Sequence, residues 1–288
     1  MTTPRAARTA TGQAARQAGR EAGRWIEKLA RLGFLAKAAV YGLVGVLALR
    51  LASGLGGGET TDAQGALREI AGAPFGTALL VLVALGLFGY AAWRLVQGAL
   101  DAEDVGSDGK GLLKRAGYLG SGVLHALLAL SALSLVAGGS GGGGGDEQAW
   151  TARLMSHGWG VWLVGLAGLI AVGVGLYQLH LAREARFLRR WRSGEMSATE
   201  RVWGERAGRA GLAARGVVFA VVGWFLLRAA WQADPGEARG LGGALAEIGA
   251  AGYGTWLLGL VALGLVGYAV FCVLEARYRR LGVGERRP

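Results

Sequence analysis

The chain has 288 residues, of which 52% are hydrophobic and 18% charged, and its mean hydropathy is +0.36. Soluble domains carry about a quarter charged residues, so the composition argues against one, and the apolar content excludes a disordered polymer. The 53 glycines follow no collagen period, and a single cysteine, Cys272, excludes an intramolecular disulfide and a Cys-based zinc or iron–sulfur site.

The N-terminal segment, residues 1–28, is basic, with Arg16, Arg20, Arg24 and Lys28 recurring every fourth residue opposite Trp25, Leu29 and Leu32. That pattern predicts an amphipathic helix on an anionic membrane surface rather than a nucleic-acid arm or a transit peptide. Six stretches follow that are long enough to cross a bilayer, near Gly33–Ala52, Pro74–Ala99, Arg115–Ala137, Gly158–Ala182, Arg209–Trp231 and Gly252–Glu275. Each is apolar around its whole circumference, which a soluble helix is not, and none shows the period-two alternation of a barrel strand. No span has an internal proline, so proline signals no broken helix. No cleavable signal peptide is visible, and the first span is expected to act as its own insertion signal.

Short amphipathic pieces at Ala63–Ile70, Gln148–Met155 and Leu241–Ile248 are predicted to be interfacial helices, and the glycine run 138–145 is low-complexity and flexible. The fourth connection repeats the basic and aromatic chemistry of the N-terminus in Arg186, Phe187, Leu188, Arg189, Arg190, Trp191 and Arg192. There Ser197 and Glu200 have the spacing of a capping box, which predicts a second short helix.

Lysines and arginines concentrate in the N-terminal segment, the second and fourth connections and the tail, while the first, third and fifth connections hold only Arg68, Arg153 and Arg239. The positive-inside rule then places both termini in the cytoplasm, and the expected location is a bacterial inner (plasma) membrane. The expected partners are anionic lipid headgroups on the cytoplasmic side, with no nucleic acid and no particular protein partner indicated.

Internal repetition sets the architecture. Arg31-Leu-Gly33, Arg115-Ala-Gly117 and Arg209-Ala-Gly211 open the three odd spans. Gly76, Gly160 and Gly254 keep the same distance from those motifs, as do Gly89, Gly173 and Gly267. The expected fold is all-α: a polytopic membrane protein of six transmembrane helices in three tandem two-helix repeats, residues 29–103, 113–187 and 207–281, with a basic linker at 188–206. An even number of spans per unit makes the copies parallel, which suggests pseudo-threefold packing, a row of hairpins being the other arrangement. The aligned Gly89, Gly173 and Gly267 are expected at close helix contacts.

The arginine and glycine before each odd span, Arg215-Gly-Val-Val-Phe219, and Gly175-Leu-Tyr177-Gln178 beside Gly89-Tyr90-Ala-Ala-Trp93-Arg94 resemble the bacterial membrane family called domain of unknown function 1206. The resemblance covers residues 29 to 281 and implies three tandem two-span copies, with no activity and no catalytic residues to carry over. Mitochondrial carriers share the architecture, but their proline–acid–base signature after the odd spans is missing here.

Ionisable residues inside spans are functional candidates. Lys37, Ser121 and Arg215 align, with Tyr41, His125 and Phe219 one turn deeper; in the even spans Tyr90 aligns with Val174 and Tyr268, and Arg94 with Gln178 and Cys272. With these faces inward, Lys37, Arg94 and Arg215 would form a cationic mouth and Tyr41, Tyr90 and His125 the next layer, suited to a phosphate, a carboxylate or a lipid headgroup. The competing reading has these cations snorkelling to lipid phosphates. His125, His157 and His180 lack ligand spacing, and no metal or cofactor is expected. No Ser-His-Asp set or H-E-x-x-H is present and acids are scarce in the spans, which argues against an enzyme and against proton-driven transport.

Three functions are therefore carried forward. The first is binding or passing an anionic small molecule or lipid at Lys37, Tyr41, Tyr90, Arg94, Ser121, His125, Gln178 and Arg215. The second is a structural or regulatory membrane protein that docks lipids or a protein partner. The third, weaker, is a haem-binding redox protein using His125.

Overall fold

The computed structural model describes residues 4–54, 60–102, 104–139 and 146–280, and the side chains of these except 4–20, 22–24 and 146–148. Nine α-helices follow in order: α1 (Pro4–Ala52), α2 (Ala63–Gly72), α3 (Gly76–Leu100), α4 (Gly109–Val136), α5 (Asp146–Met155), α6 (Gly160–Glu184), α7 (Ala198–Gln232), α8 (Leu241–Ala250) and α9 (Gly254–Tyr278). Six of them, α1, α3, α4, α6, α7 and α9, are long and apolar enough to span a bilayer, so the chain is an all-helical multi-pass membrane protein. The 25 residues of each even span extend about 37 Å, which exceeds a hydrocarbon core of about 30 Å.

Local chemistry explains the repeated boundaries. Asp62 caps α2 by accepting from Gly65 N at 2.7 Å, and Asp108 caps α4 by accepting from Gly111 N at 2.9 Å. The short helices α2, α5 and α8 each turn straight into an even span, and the aligned glycines make that turn possible. A Cβ at Gly76, Gly160 or Gly254 would collide with the carbonyl of Ile70, Leu154 or Gly249 respectively. The predicted interfacial helices exist, but α2 and α8 do not merely lie on the surface. Ala66, Leu67, Ala244 and Leu245 are fully buried and share one core with Val44, Ala48, Leu80 and Ala262, closing the α2–α8 end of the bundle.

Around the bundle the spans run α4, α3, α1, α9, α7, α6. The three seams between repeats (α3 with α4, α6 with α7, α9 with α1) are equivalent, as pseudo-threefold symmetry requires. Each is fastened by the first residue of the repeated motif. Arg115 donates to Gly98 O at 2.8 Å and Ala99 O at 2.9 Å, Arg209 to Arg183 O at 2.8 Å, and Arg31 to Ala276 O and, at 2.9 Å, to Arg277 O. A guanidinium thus satisfies the last carbonyls of the neighbouring helix, at the negative end of its dipole.

The seams within repeats are not equivalent. α1 packs on α3 and α7 on α9, but α4 and α6 form no packed pair among the described residues. A Cβ at Gly33 would meet Gly86 O at 2.7 Å, and one at Gly211 would meet Tyr268 N at 2.6 Å, whereas nothing lies within 4 Å of one at Gly117. Gly86 and Gly264 allow this close approach, and repeat 2 has the bulky Ile170 there. The threefold packing expected from the sequence is therefore a ring with one open seam. Gly89 fits its expected role, its Cβ position lying 2.5 Å from Leu29 O, and Gly267 makes ordinary contact with Ala207. Gly173 does not, since its partner helix stands away and nothing is within 4 Å.

Two cytoplasmic expectations also change. The basic N-terminal segment is not a separate helix, because α1 runs from Pro4 to Ala52 without a break; Arg16, Arg20 and Arg24 lie outside the described side chains. Ser197 does form a capping box with Glu200, but the helix it starts is α7, 35 residues long and continuous with the fifth span. The second half of the expected 188–206 linker is therefore helix. Its first half, instead of lying on lipid, folds against α9. Phe187 and Trp191 are buried, Trp191 Nε1 donates to Glu275 Oε1 at 2.5 Å, and Arg279 pairs with the other oxygen of Glu275. Arg192 N donates to Tyr278 O at 2.9 Å and Arg280 N to Arg190 O at 2.8 Å.

Candidate functional site

Lys37 sits one turn past the Arg31–Gly33 motif on α1, where the close α1–α3 contact brings Tyr90 opposite. Its Nζ donates to Tyr90 Oη at 3.0 Å and lies 4.3 Å from the ring centroid. The third repeat copies the pair: Arg215 Nη1 on α7 donates to Tyr268 Oη on α9 at 2.6 Å, with its Cζ 4.4 Å from that ring. The two pairs have the same separation of 53 residues. Repeat 2 has Ser121 and Val174 instead, so it lacks both members.

Contacts across the repeats join these pairs into one cluster. Lys37 Nζ is 5.6 Å from the Tyr268 ring, and Arg215 Cζ is 5.0 Å from Tyr41, which meets Tyr268 edge-on at 4.9 Å. On the other side Arg94, one turn beyond Tyr90, donates from Nε to Tyr90 Oη at 2.8 Å and from Nη1 to Gln97 at 3.1 Å. Its Cζ is 5.1 Å from the Tyr118 ring of α4. His125 packs on Tyr90 at 4.6 Å, and its Nδ1 is 2.7 Å from Ser121 O. A carbonyl only accepts, so that nitrogen carries the proton.

Burial decides between the two readings of Lys37. It is 5% exposed and held by Tyr90, so it does not snorkel. Among the described residues, none of Lys37, Arg94 and Arg215 makes an ion pair. The one acid of α9, Glu275, is committed to Arg279 and Trp191. Tyrosine faces and hydroxyls supply partial compensation, about 0.5–2 kcal/mol per cation–π contact. The buried Lys37 and the half-buried Arg94 and Arg215 share two hydroxyls and remain short of negative charge, which is most costly for Lys37.

Gln178 belongs to the same register as Arg94, yet it bonds to none of the cluster. It is 6% exposed, and both its amide nitrogen and its oxygen lack a hydrogen-bond partner, as does Arg215 Nε. Tyr268 was missing from the residues proposed for the site, although its alignment with Tyr90 and the repeated 53-residue separation carried the signal. The histidines are not brought together: His180 faces Glu184 at 3.4 Å and His157 Nδ1 contacts Arg153 O at 3.1 Å. His180 and His125 also belong to the two helices that stand apart. Arg228, near the end of α7, reaches Glu237 at 3.1 Å. Arg50 is exposed, in keeping with snorkelling.

Beyond the cluster the interior is apolar. One and two turns past Tyr41, Val44 and Ala48 are fully buried, as are Leu87 and Ala84 on α3 and Leu265 and Ala262 on α9. Two cavities lie at the α2–α8 end, one of about 410 Å3 lined by Thr61, Gly65, Arg68, Glu69, Gly72 and Ala73 and one of about 330 Å3 beside Leu51, Ala246 and Leu258. Neither touches the cations.

A family described as Domain of Unknown Function (DUF1206) matches this chain three times, at residues 32–101, 116–185 and 210–279. The chain is also 34% identical, over 257 residues, to the uncharacterized protein YxxB of Bacillus subtilis (strain 168), covering 89% of this chain and 92% of that one. No solved structure matches.

Proposed function

The chain belongs to the DUF1206 family of tandem membrane repeats, and on that premise we propose that it binds an anionic small molecule or lipid headgroup at Lys37, Arg94 and Arg215. The observation that carries this reading is the charge deficit of the cluster: two cation–tyrosine pairs and a third cation, with no ion pair to any of them among the described residues. A phosphate or carboxylate supplies the missing charge and accepts from several donors at once. Binding fits better than passage, because the sealed apolar outer half would have to repack to let an ion through. The protein is non-enzymatic in this reading and sits in a bacterial inner membrane. Both termini and the cluster are on the cytoplasmic side, where the basic connections lie.

The structural or regulatory alternative, docking through the basic N-terminal and Arg183–Arg209 segments, loses the buried Phe187 and Trp191 but keeps the exposed Arg186, Arg189 and Arg190. Haem ligation would have to use His125 Nε2, since Nδ1 is engaged by Ser121 O, on a ring that packs against Tyr90 at 4.6 Å. Native mass spectrometry of the gently solubilised protein tests the proposal. A retained phosphate- or carboxylate-bearing ligand, lost in Lys37→Gln with Arg215→Gln at unchanged helical content, is expected. Bare protein, or adducts indifferent to those changes, refutes it.

A further inference from the structure

The open seam and the charge deficit lie at the same depth. In repeats 1 and 3 the faces that close the hairpin are buried, and in repeat 2 the equivalent positions are exposed. The clearest series is Trp93, Tyr177 and Phe271, with exposures of 1%, 53% and 7%. Gly117, Ile170, Gly173 and Val174 are exposed in the same way, Leu113 being exposed like its counterpart Leu29, and no Cβ at either glycine would touch anything within 4 Å. Val174 is the equivalent of Tyr90 and Ser121 of Lys37, so the seam opens at the level of the cations.

Behind that seam stand polar groups. His125 on α4 rests on Tyr90, the tyrosine that accepts from both Lys37 and Arg94. Gln178 on α6, more than nine-tenths buried, has no partner at either end of its amide, and its register places it on the side of α6 that Arg94 and Cys272 occupy in their own helices. The walls are apolar and face the hydrocarbon, while the interior is cationic with unpaired donors. A free ion arriving from water has no use for such walls. A lipid has a use for both parts, because its acyl chains gain packing that would otherwise be missing between α4 and α6 and its headgroup gains the charge-assisted contacts.

We propose that the seam between α4 and α6 is a lateral port for an anionic membrane lipid, whose acyl chains lie along Leu113, Gly117, Ile170, Gly173, Val174 and Tyr177 and whose headgroup reaches the Lys37–Arg94–Arg215 cluster. This rests on the anion-site reading above and narrows its ligand to a lipid that enters from the bilayer. Repeat 2 is then the specialised copy: by replacing the cation–tyrosine pair with Ser121 and Val174 and a packing glycine with Ile170, it opens the hairpin that the other two copies keep shut.

The test reconstitutes the full chain in vesicles of phosphatidylcholine containing a minor fraction of phosphatidylglycerol, with a photoactivatable diazirine in the acyl chain of one lipid or the other. After illumination, adducts are mapped by mass spectrometry, and binding of inorganic phosphate is measured separately in detergent by equilibrium dialysis. The expected result is labelling of the Leu113–Gly117 and Ile170–Tyr177 peptides about tenfold stronger from the anionic than from the neutral probe, the ratio lost with one charge-assisted contact. Lys37→Gln with Arg215→Gln abolishes that preference. Filling the seam with Gly117→Leu and Val174→Trp, both exposed and outside the cluster, removes the labelling and leaves phosphate binding unchanged.

Phosphate binding that depends on Lys37 and Arg215, combined with seam labelling equal for the two lipids, overturns the port and keeps the anion site. A lipid preference that survives the glutamine changes overturns both. Protein–protein cross-links across the seam in place of lipid adducts show that a second copy covers it, and overturn the port.

Discussion

Alanine at the first glycine of each repeat motif separates a packed hairpin from an open one, because Gly117 and Gly211 occupy equivalent positions in different surroundings. At Gly211 a new Cβ would lie 2.6 Å from Tyr268 N, which is backbone and has no rotamer to retreat into. Overpacking of this kind costs about 1–3 kcal/mol, and the strain bears on Tyr268, the partner of Arg215. At Gly117 the Cβ meets nothing within 4 Å; only the backbone entropy of a mid-helix glycine is relieved, a gain of about 0.5–1 kcal/mol. The two substitutions are chemically identical and predicted to have opposite signs. Unfolding of the purified protein in mixed micelles, followed by circular dichroism as the denaturing detergent fraction rises, measures both. Gly211→Ala should shift the midpoint down and Gly117→Ala leave it level or raise it. If Gly117→Ala is as damaging as Gly211→Ala, then α4 and α6 pack like the other hairpins, and the open seam is wrong.

Two further outcomes follow from the helix ends that carry the repeated arginines. Glu275→Ala removes the carboxylate that pairs with the 6%-exposed Arg279 and accepts from Trp191 Nε1, a loss of about 3–5 kcal/mol by the same unfolding titration. Arg277→Ala, which removes an exposed contact to Glu200 at 3.9 Å, should cost about 0–1 kcal/mol; equal effects would show that the connection does not dock as described. Arg115→Ala strips the guanidinium from Gly98 O and Ala99 O and should cost about 1–3 kcal/mol. A limited-proteolysis cut appearing near residues 101–108 would locate the opening at that seam, and unchanged protection would contradict the fastening role.

Sequence alone determined the number of spans, their helical nature and the three-copy organisation, and it aligned Lys37 with Arg215 and Tyr90 with Tyr268, residues that the fold then brings together. Those features follow from rules with short reach: a span is legible from a run of apolar residues, a cap from Ser197 and Glu200 three apart, and an inward face from the same residue type recurring at one register in several copies. Even the missed Tyr268 was legible in that way.

Tertiary structure alone decided how the copies pair. Arg31, Arg115 and Arg209 are identical in the sequence, but the partners they fasten are carbonyls of another repeat, and a backbone carbonyl carries no signature in the sequence. Whether Gly117 and Gly173 sit at a tight crossing or at an empty face depends on what opposes them, and glycine reads the same in both settings. The exchange of Gly86 and Gly264 for Ile170 was visible residue by residue, yet it means an open hairpin only once the close backbone contact at its counterparts is seen. In the same way Phe187 and Trp191 share one amphipathic pattern with a lipid-docking segment, and only the position of Glu275 on α9 turns them inward. Periodicity encodes which side of a helix is apolar; it does not encode whether lipid or protein lies against that side.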